Sequence, residues 1–429
     1  MKIPELSKHY KDRTPSAIRS AQIEYSNRTD KDSLEVINLA IGNISLPMYP
    51  ALNKRMKEIG VNRFADGVVG YTPTVGNDET RKAFLNILQA EGIDTSNIYP
   101  SITDGGSSAM ELMMLGVCGP ASKKPIMLLD PVYTNYLEFA KRLAIEVITT
   151  ARKINEDGSF AEINIKEIEA SIKQYKPKAL VVIPYDNPTG QFLNQDILIE
   201  LARICIKNNI WLVSDEAYRP LHYKDPNQSS IWLINEIILP GITGRRISIE
   251  SSSKIWNACG LRIGALLTDN KEFHYKAVSE YTANLCANAL GQEIFGALAN
   301  EPHDKIQRWY KNQRDYYQSI LFKLKKEFQK ELPGLIVSEP EAALYCIIDF
   351  KNIAGPNFDS FNFVQYCAKR GKTKIKDKLY TLLLAPMDGF YSNPKLGNTQ
   401  LRIAIVETPE KMLLAPKVLS RLFDDYTKT

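Results

Sequence analysis

The chain has 429 residues, 44% hydrophobic and 24% charged, with 54 Lys and Arg against 49 Asp and Glu, a formal charge of +5. At about 150 residues per domain that length predicts two to three domains, and the balanced composition excludes a disordered or low-complexity scaffold. So small a charge excess gives no footprint for nucleic acid or an anionic membrane as partner.

The first 35 residues are polar and are expected to form an arm, or a helix followed by a loop. The opening stretch holds no apolar segment of a secretory leader, and no apolar run approaches the ~18 residues that span a bilayer. Short runs rich in Val, Ile and Leu follow at 125–130, 146–150, 179–184, 210–215, 247–252 and 263–269. They read as strands covered on both faces. Helical patterns lie between them. Over 194–208, Ile197, Leu198, Leu201, Ile204 and Cys205 fall on one helix face. This alternation predicts an α/β fold, with a mostly parallel central sheet flanked by helices. Residues 276–298 and 303–331 are expected as long helices, followed by strand-like segments at 336–337, 344–350 and 401–406 and a helix over 410–426. The second half therefore reads as a smaller α+β C-terminal domain. The expected organisation is an N-terminal segment packing with the small domain over 1–50, a large domain over 51–300 and the small domain over 301–429. Cys118, Cys205, Cys259, Cys286, Cys346 and Cys367 show no C-x-x-C spacing, and with four His they predict no metal site. Reduced thiols in a cytoplasmic protein are expected.

Six motifs carry candidate chemistry, mostly just after predicted strands, where ligands of open parallel sheets bind. Thr103-Asp104-Gly105-Gly106-Ser107-Ser108-Ala109 brings free amides and a helix N-terminus to an anion, or is a plain glycine turn with a Ser cap. Asp130-Pro131-Val132-Tyr133-Thr134-Asn135-Tyr136 sets an aromatic at a strand end, to stack on a planar ligand or to pack. In Tyr185-Asp186-Asn187-Pro188-Thr189-Gly190 the proline and glycine aim an Asn amide over the sheet edge. In Ser214-Asp215-Glu216-Ala217-Tyr218, Asp215 follows an apolar strand, where a buried carboxylate is costly without a cation. The most specific is Ser251-Ser252-Ser253-Lys254 followed by Gly260-Leu261-Arg262-Ile263-Gly264. A lysine among desolvating or cationic neighbours becomes nucleophilic, and Arg262 offers a planar fork for phosphate. Arg402, in an apolar strand-like segment, can clamp a carboxylate or make a surface ion pair.

One ligand wants all of these groups, a planar pyridine aldehyde with a phosphate tail. From about Ile37 to Val406, the Asn-Pro-Thr-Gly, Asp-x-Ala-Tyr and Ser-x-Ser-Lys…Gly-x-Arg-x-Gly motifs resemble the fold type I pyridoxal-phosphate enzymes, the class I/II aminotransferases. Leu39-Ala40-Ile41-Gly42-Asn43 and the first two motifs look most like the LL-diaminopimelate aminotransferase branch. The resemblance implies pyridoxal 5′-phosphate as cofactor. It makes Lys254 the Schiff-base lysine and general base, with Asp215 holding the pyridine nitrogen protonated. Asn187 and Tyr218 would bond the ring oxygen, and Tyr133 would stack on the ring. Gly106, Ser107, Ser251 and Arg262 would hold the phosphate. Arg402, with the backbone near Gly42, would bind the substrate α-carboxylate. Tyr71 would reach the neighbouring subunit's phosphate, which implies a homodimer with shared sites. The implied activity moves an amino group from an L-amino acid to a 2-oxo acid by a ping-pong route through pyridoxamine phosphate. A lyase or oxidase outcome at the same carbon, or a non-enzymatic regulator built on this fold, stays open. Trp256 and Cys259 read as packing residues. Four departures stand out. Asp186 replaces a common Asn, and Gly106 and Ser107 replace larger polar residues. Glu341–Tyr345 replaces a Gly-rich turn at the pocket mouth. Gly42–Pro47 lacks the acidic residues of the diaminopimelate branch, which argues against that substrate.

Overall fold

The computed structural model describes residues 3–224 and 227–428. Its first strand, β1 (Leu34–Asn38), joins a small sheet described below. The next seven are β2 (Tyr99–Thr103), β3 (Ile126–Asp130), β4 (Val147–Ala151), β5 (Ala179–Val182), β6 (Trp211–Asp215), β7 (Arg246–Ser251) and β8 (Gly264–Thr268). They form one sheet in the order β2-β8-β7-β6-β5-β3-β4. Only β8 runs antiparallel to its neighbours; the other pairings are parallel. Successive residues point to opposite faces, and both faces are apolar. Ala179 and Val181 of β5 join Met113, Tyr136 and Phe273 in one core. Leu180 and Val182 join Ile168, Ile172, Leu198 and Leu201 in the other.

All six strands expected from composition are present, and β2 is one that the pattern did not predict. Its sequence, Tyr-Pro-Ser-Ile-Thr, has one aliphatic residue and a proline, which only a sheet edge tolerates. The helix Gln195–Lys207 begins where Asn194 accepts from the Ile197 amide and ends at Asn208. The helix His303–Glu331 runs 29 residues and buries Ile306, Tyr310, Tyr317, Leu321, Leu324 and Phe328 along one stripe.

The continuous helix expected over 276–298 is corrected. The chain forms Lys271–Tyr281, a short 3-10 turn at Thr282–Asn284, and a new helix Ala289–Phe295. Leu285 adopts φ +68°, and the Asn288 side chain accepts from the Gly291 amide to start the second helix. The break also serves the glycine turn after β2. Tyr281 donates to Asp104 at 3.0 Å, and the Asn288 amide donates to the same carboxylate at 2.9 Å. Side-chain competition for backbone groups plus this tertiary anchor outweighs local helix propensity.

The remaining strands are β9 (Ile336–Val337), β10 (Tyr345–Asp349), β11 (Thr373–Ile375), β12 (Lys378–Leu383), β13 (Ala385–Pro386) and β14 (Gln400–Ala404). They make a four-stranded sheet, β13-β14-β10-β9, and a three-stranded sheet in which β1 pairs in parallel with β12. The helix Ala17–Ser26 packs on the helix Ser360–Lys369, and Arg28 donates to the carbonyls of Cys367 and Gly371. The start of the chain is thus tied to its last hundred residues.

Behind the sheet ends, Arg219 is buried among three carboxylates: Glu91 at 2.6 Å, Glu216 at 3.0 Å and Glu250 at 3.1 Å. Burial pushes the Glu250 carboxyl up to about 8. That value exceeds its unfolded one, so the folded state keeps a proton and stability falls as pH rises from about 4.5 toward 8. Replacing Arg219 with Met leaves the carboxylates without a counterion. A loss of about 3–5 kcal/mol is expected, larger at pH 8 than at pH 6. Urea denaturation at the two pH values checks it, and unchanged midpoints would contradict it.

Candidate active site

The carboxyl ends of β3, β5, β6 and β7 and the face of β10 and β14 enclose a cavity of about 280 Å³. Asp215, the last residue of β6, sits at its floor and is 3% exposed. The Ala217 amide donates to one carboxylate oxygen at 3.2 Å and the Tyr136 hydroxyl to the other at 3.0 Å. Among the described residues no Lys or Arg pairs with it, and burial pushes its carboxyl up to about 6. Lys254 enters from the turn after β7, and its Nζ donates to the Gly42 carbonyl at 2.5 Å. The lack of a side chain at Gly42 leaves room for this approach. A Cβ would stand 3.1 Å from that Nζ and 2.5 Å from the Tyr345 hydroxyl.

On the small-sheet side, Arg402 of β14 donates to Asn187 Oδ1 at 3.0 Å and to the Ala40 carbonyl at 2.5 Å. Its Nε is buried without a partner. Asn187 Nδ2 donates to the Tyr218 hydroxyl at 3.3 Å, and burial raises Tyr218 well above the usual phenol range, so it stays a neutral donor. Opposite, Gly105 at φ +75° opens the helix Gly105–Val117. The Arg262 guanidinium lies across this glycine, where a Cβ would meet Nη2 at 2.4 Å. Gly264, at the start of β8, approaches so closely that a Cβ would lie 2.5 Å from the Gly106 nitrogen. Ser107, Ser251 and Arg262 face this backbone cradle.

Of the residues singled out from sequence, Gly42, Asn187 and Arg402 line one side of the cavity. Gly106, Ser107, Ser251 and Arg262 line the other, with Asp215, Tyr218, Tyr133 and Lys254 between. Tyr71 does not join them; it is 81% exposed on an outer loop. Cys259 also lines the cavity, whereas Trp256 is buried against Tyr49, Phe295 and Tyr310. The departure at Asp186 has a partner: Arg152, 2.8 Å away, which also donates to the carbonyls of Leu129 and Pro131 and ties the ends of β3 and β5. Sequence reading missed Tyr136, one helical turn beyond Tyr133. It also missed Tyr345 as a site residue, and the N-terminal Ser16, Ile18 and Arg19 at the cavity mouth.

Residues 35–408 match the family described as aminotransferase class I and II. The chain belongs to the class I and II aminotransferase family. It is 25% identical to an aspartate aminotransferase of Sulfurisphaera tokodaii over 80% of this chain and 78% of that one. It is 23% identical to a probable kynurenine–oxoglutarate transaminase of Saccharomyces cerevisiae over 96% of this chain and 92% of that one. Among solved structures, N-succinyldiaminopimelate aminotransferase from Mycobacterium tuberculosis aligns with a TM-score of 0.80 at 19% identity, covering 97% of this chain and all of that one. The protein is thus a pyridoxal-phosphate-dependent aminotransferase of fold type I. The residues present fit that cofactor. A buried carboxylate without a protein cation suits a protonated ring nitrogen. A glycine cradle that a Cβ would fill, with a guanidinium beside it, suits a phosphate.

Proposed function

We propose that the enzyme moves an amino group from an L-amino acid to a 2-oxo acid in two ping-pong half-reactions, with the residues of this cavity in the following roles. The observation that carries the reading is the convergence of one amine, one buried carboxylate and one guanidinium, Lys254, Asp215 and Arg402, on a single cavity. Bound pyridoxal phosphate supplies an electron sink for the pair left when the substrate Cα loses its proton. Lys254 Nζ would take that proton as general base and give it back as general acid. Asp215 holds the proton on the ring nitrogen, which keeps the sink electron-poor. Asn187 and Tyr218 donate toward the ring oxygen, and Tyr133 covers the ring face. The amides at Gly106 and Ser107, the Ser251 hydroxyl and Arg262 hold the phosphate. Arg402 takes the substrate α-carboxylate in a bidentate grip, with the Gly42 backbone closing over it.

The test is a panel of single L-amino acids with 2-oxoglutarate as acceptor. One new amino acid per oxo acid consumed is expected, with a shift of the cofactor's absorption on adding donor alone. Stoichiometric ammonia would overturn transamination in favour of a lyase or oxidase.

The reading extends to a homodimer in which Tyr71 reaches the partner's phosphate site. Val68, Val69, Tyr71 and Leu285 are 52% to 81% exposed on two adjoining loops, which Thr74 ties together by donating to the Leu285 carbonyl at 2.7 Å. An apolar patch of this kind favours burial against a second copy. The reading divides the chain into residues 1–50, 51–300 and 301–429; the pairing of β1 with β12 supports only that the N-terminal segment packs with the last part of the chain. Among the described residues no helix is long and apolar enough to cross a membrane; the reading also includes a cytoplasmic location, which cell fractionation would check.

A further inference from the structure

Tyr345 opens β10 and is 1% exposed. It stands two residues along from Ile347, the register partner of Arg402, so both side chains project from one face of the sheet. The Arg402 guanidinium carbon lies 4.6 Å from the centre of the Tyr345 ring and 4.9 Å from that of Phe390. The cation therefore packs against both rings, which limits how far it can move. At the other end of the same side chain, the Tyr345 hydroxyl lies 2.8 Å from the Tyr218 hydroxyl, with the rings edge to face at 5.6 Å.

Proton accounting sets the direction of that bond. Tyr218's oxygen already accepts from Asn187 Nδ2. Among the described residues Tyr345's hydroxyl has one hydrogen-bonding neighbour, Tyr218. Tyr218 has a single proton, and if it went to Tyr345 none would be left for the ring oxygen to which Tyr218 is proposed to donate. If Tyr345 donates, both protons are used: its own on Tyr218, and Tyr218's on whatever acceptor occupies the cavity.

We propose that Tyr345 is a positioning residue that donates to Tyr218, so that the Tyr218 proton points at the cofactor's ring oxygen, while its ring holds the Arg402 guanidinium in place for the substrate carboxylate. The inference rests on the cofactor and substrate placement proposed above. It joins the group that tunes the cofactor and the group that grips the substrate through one side chain.

Tyr345→Phe removes the hydroxyl and keeps the ring. With a weaker donor at the ring oxygen, more negative charge stays there and the neighbouring lysine-bound nitrogen holds its proton more tightly. The pH midpoint of the bound cofactor's absorption change in the resting holoenzyme is expected to rise by about half to one unit, with kcat down about tenfold and KM little changed. In a Tyr218→Phe background the same change should move the midpoint no further. Tyr345→Leu removes the ring as well, and the dissociation constant of propionate, an unreactive carboxylate probe, is expected to rise about tenfold. An unshifted midpoint in Tyr345→Phe, an additive shift in the double variant, or unaltered propionate binding in Tyr345→Leu would each overturn the proposal. A wild-type protein that shows no cofactor absorption would overturn the underlying site reading instead, so the two failures are distinct.

Discussion

Lys254→Ala is expected to lose the half-reaction with every amino donor, by at least about 10⁴-fold, while the fold and the phosphate cradle remain intact. The Lys254 side chain contributes one hydrogen bond, to the Gly42 carbonyl, and leaves that carbonyl beside an open cavity when removed. No core cluster includes it. The loss therefore falls on chemistry rather than stability. Stopped-flow absorption after mixing with amino acid checks it, and normal turnover would remove the proposed base from the scheme. The same variant tests the shared site. Lys254→Ala and Tyr71→Ala chains, each inactive or weak alone, are unfolded together and refolded. A mixed dimer then contains one site with both a native lysine and a native partner tyrosine. Activity regained on mixing supports Tyr71 acting across the interface. No recovery from a mixture shown to contain mixed dimers would confine Tyr71 to a surface role.

Much of this site is legible in the sequence because the chemistry is tied to residue type and strand position. Asp215, Asn187 and Lys254 each lie at or shortly after the end of a buried strand, and a polar group there points into the crevice. What was not legible depends on register and on distant segments. Tyr345 reaches Tyr218 because the segment 221–223, just after Tyr218, pairs with 341–343, just before Tyr345, which no local pattern encodes. Tyr136 lies within a motif already singled out, yet its burial makes it look like core packing, and only the position of β6 beside it reveals the bond to Asp215. The Arg219 cluster assembles residues 91, 216, 219 and 250 from separate segments. The break at 282–288 follows from the need to anchor Asp104, a demand that helix propensity within 276–298 does not register. Ser16, Ile18 and Arg19 line the mouth because the helix Ala17–Ser26 docks on the small domain's helix, 340 residues away in the chain by the Arg28–Ala368 bond.

Asp215→Asn is expected to separate catalysis from stability in opposite directions. In the enzyme carrying its cofactor, the substitution removes the buried counter-charge of the ring nitrogen. Breaking such a pair costs about 3–5 kcal/mol, which corresponds to roughly a 10²- to 10⁴-fold fall in the rate of Cα proton removal. Without the cofactor the sign reverses. The folded carboxyl titrates near 6, above the ordinary 3.8, because burial opposes its charge and no protein cation relieves it. The folded state thus binds more protons than the unfolded chain between those values, so stability falls as pH rises from about 4 to about 6 and stays low above. The cost is about 3 kcal/mol at neutral pH. Asparagine carries none of it, still accepts from the Ala217 amide, and turns its amide nitrogen to donate to the Tyr136 oxygen, which takes back only the smaller cost of rearranging one neutral hydrogen bond. The cofactor-free Asp215→Asn protein should therefore melt above cofactor-free wild type at pH 8, with the gap closing below pH 4. Adding pyridoxal phosphate should stabilise wild type more than the variant, because only wild type gains the ion pair. Calorimetric scans at pH 4 and pH 8, with and without cofactor, decide the matter. A variant that melts lower than wild type at pH 8 without cofactor would show that the carboxylate is not held at a cost, and that its charge is already balanced within the protein.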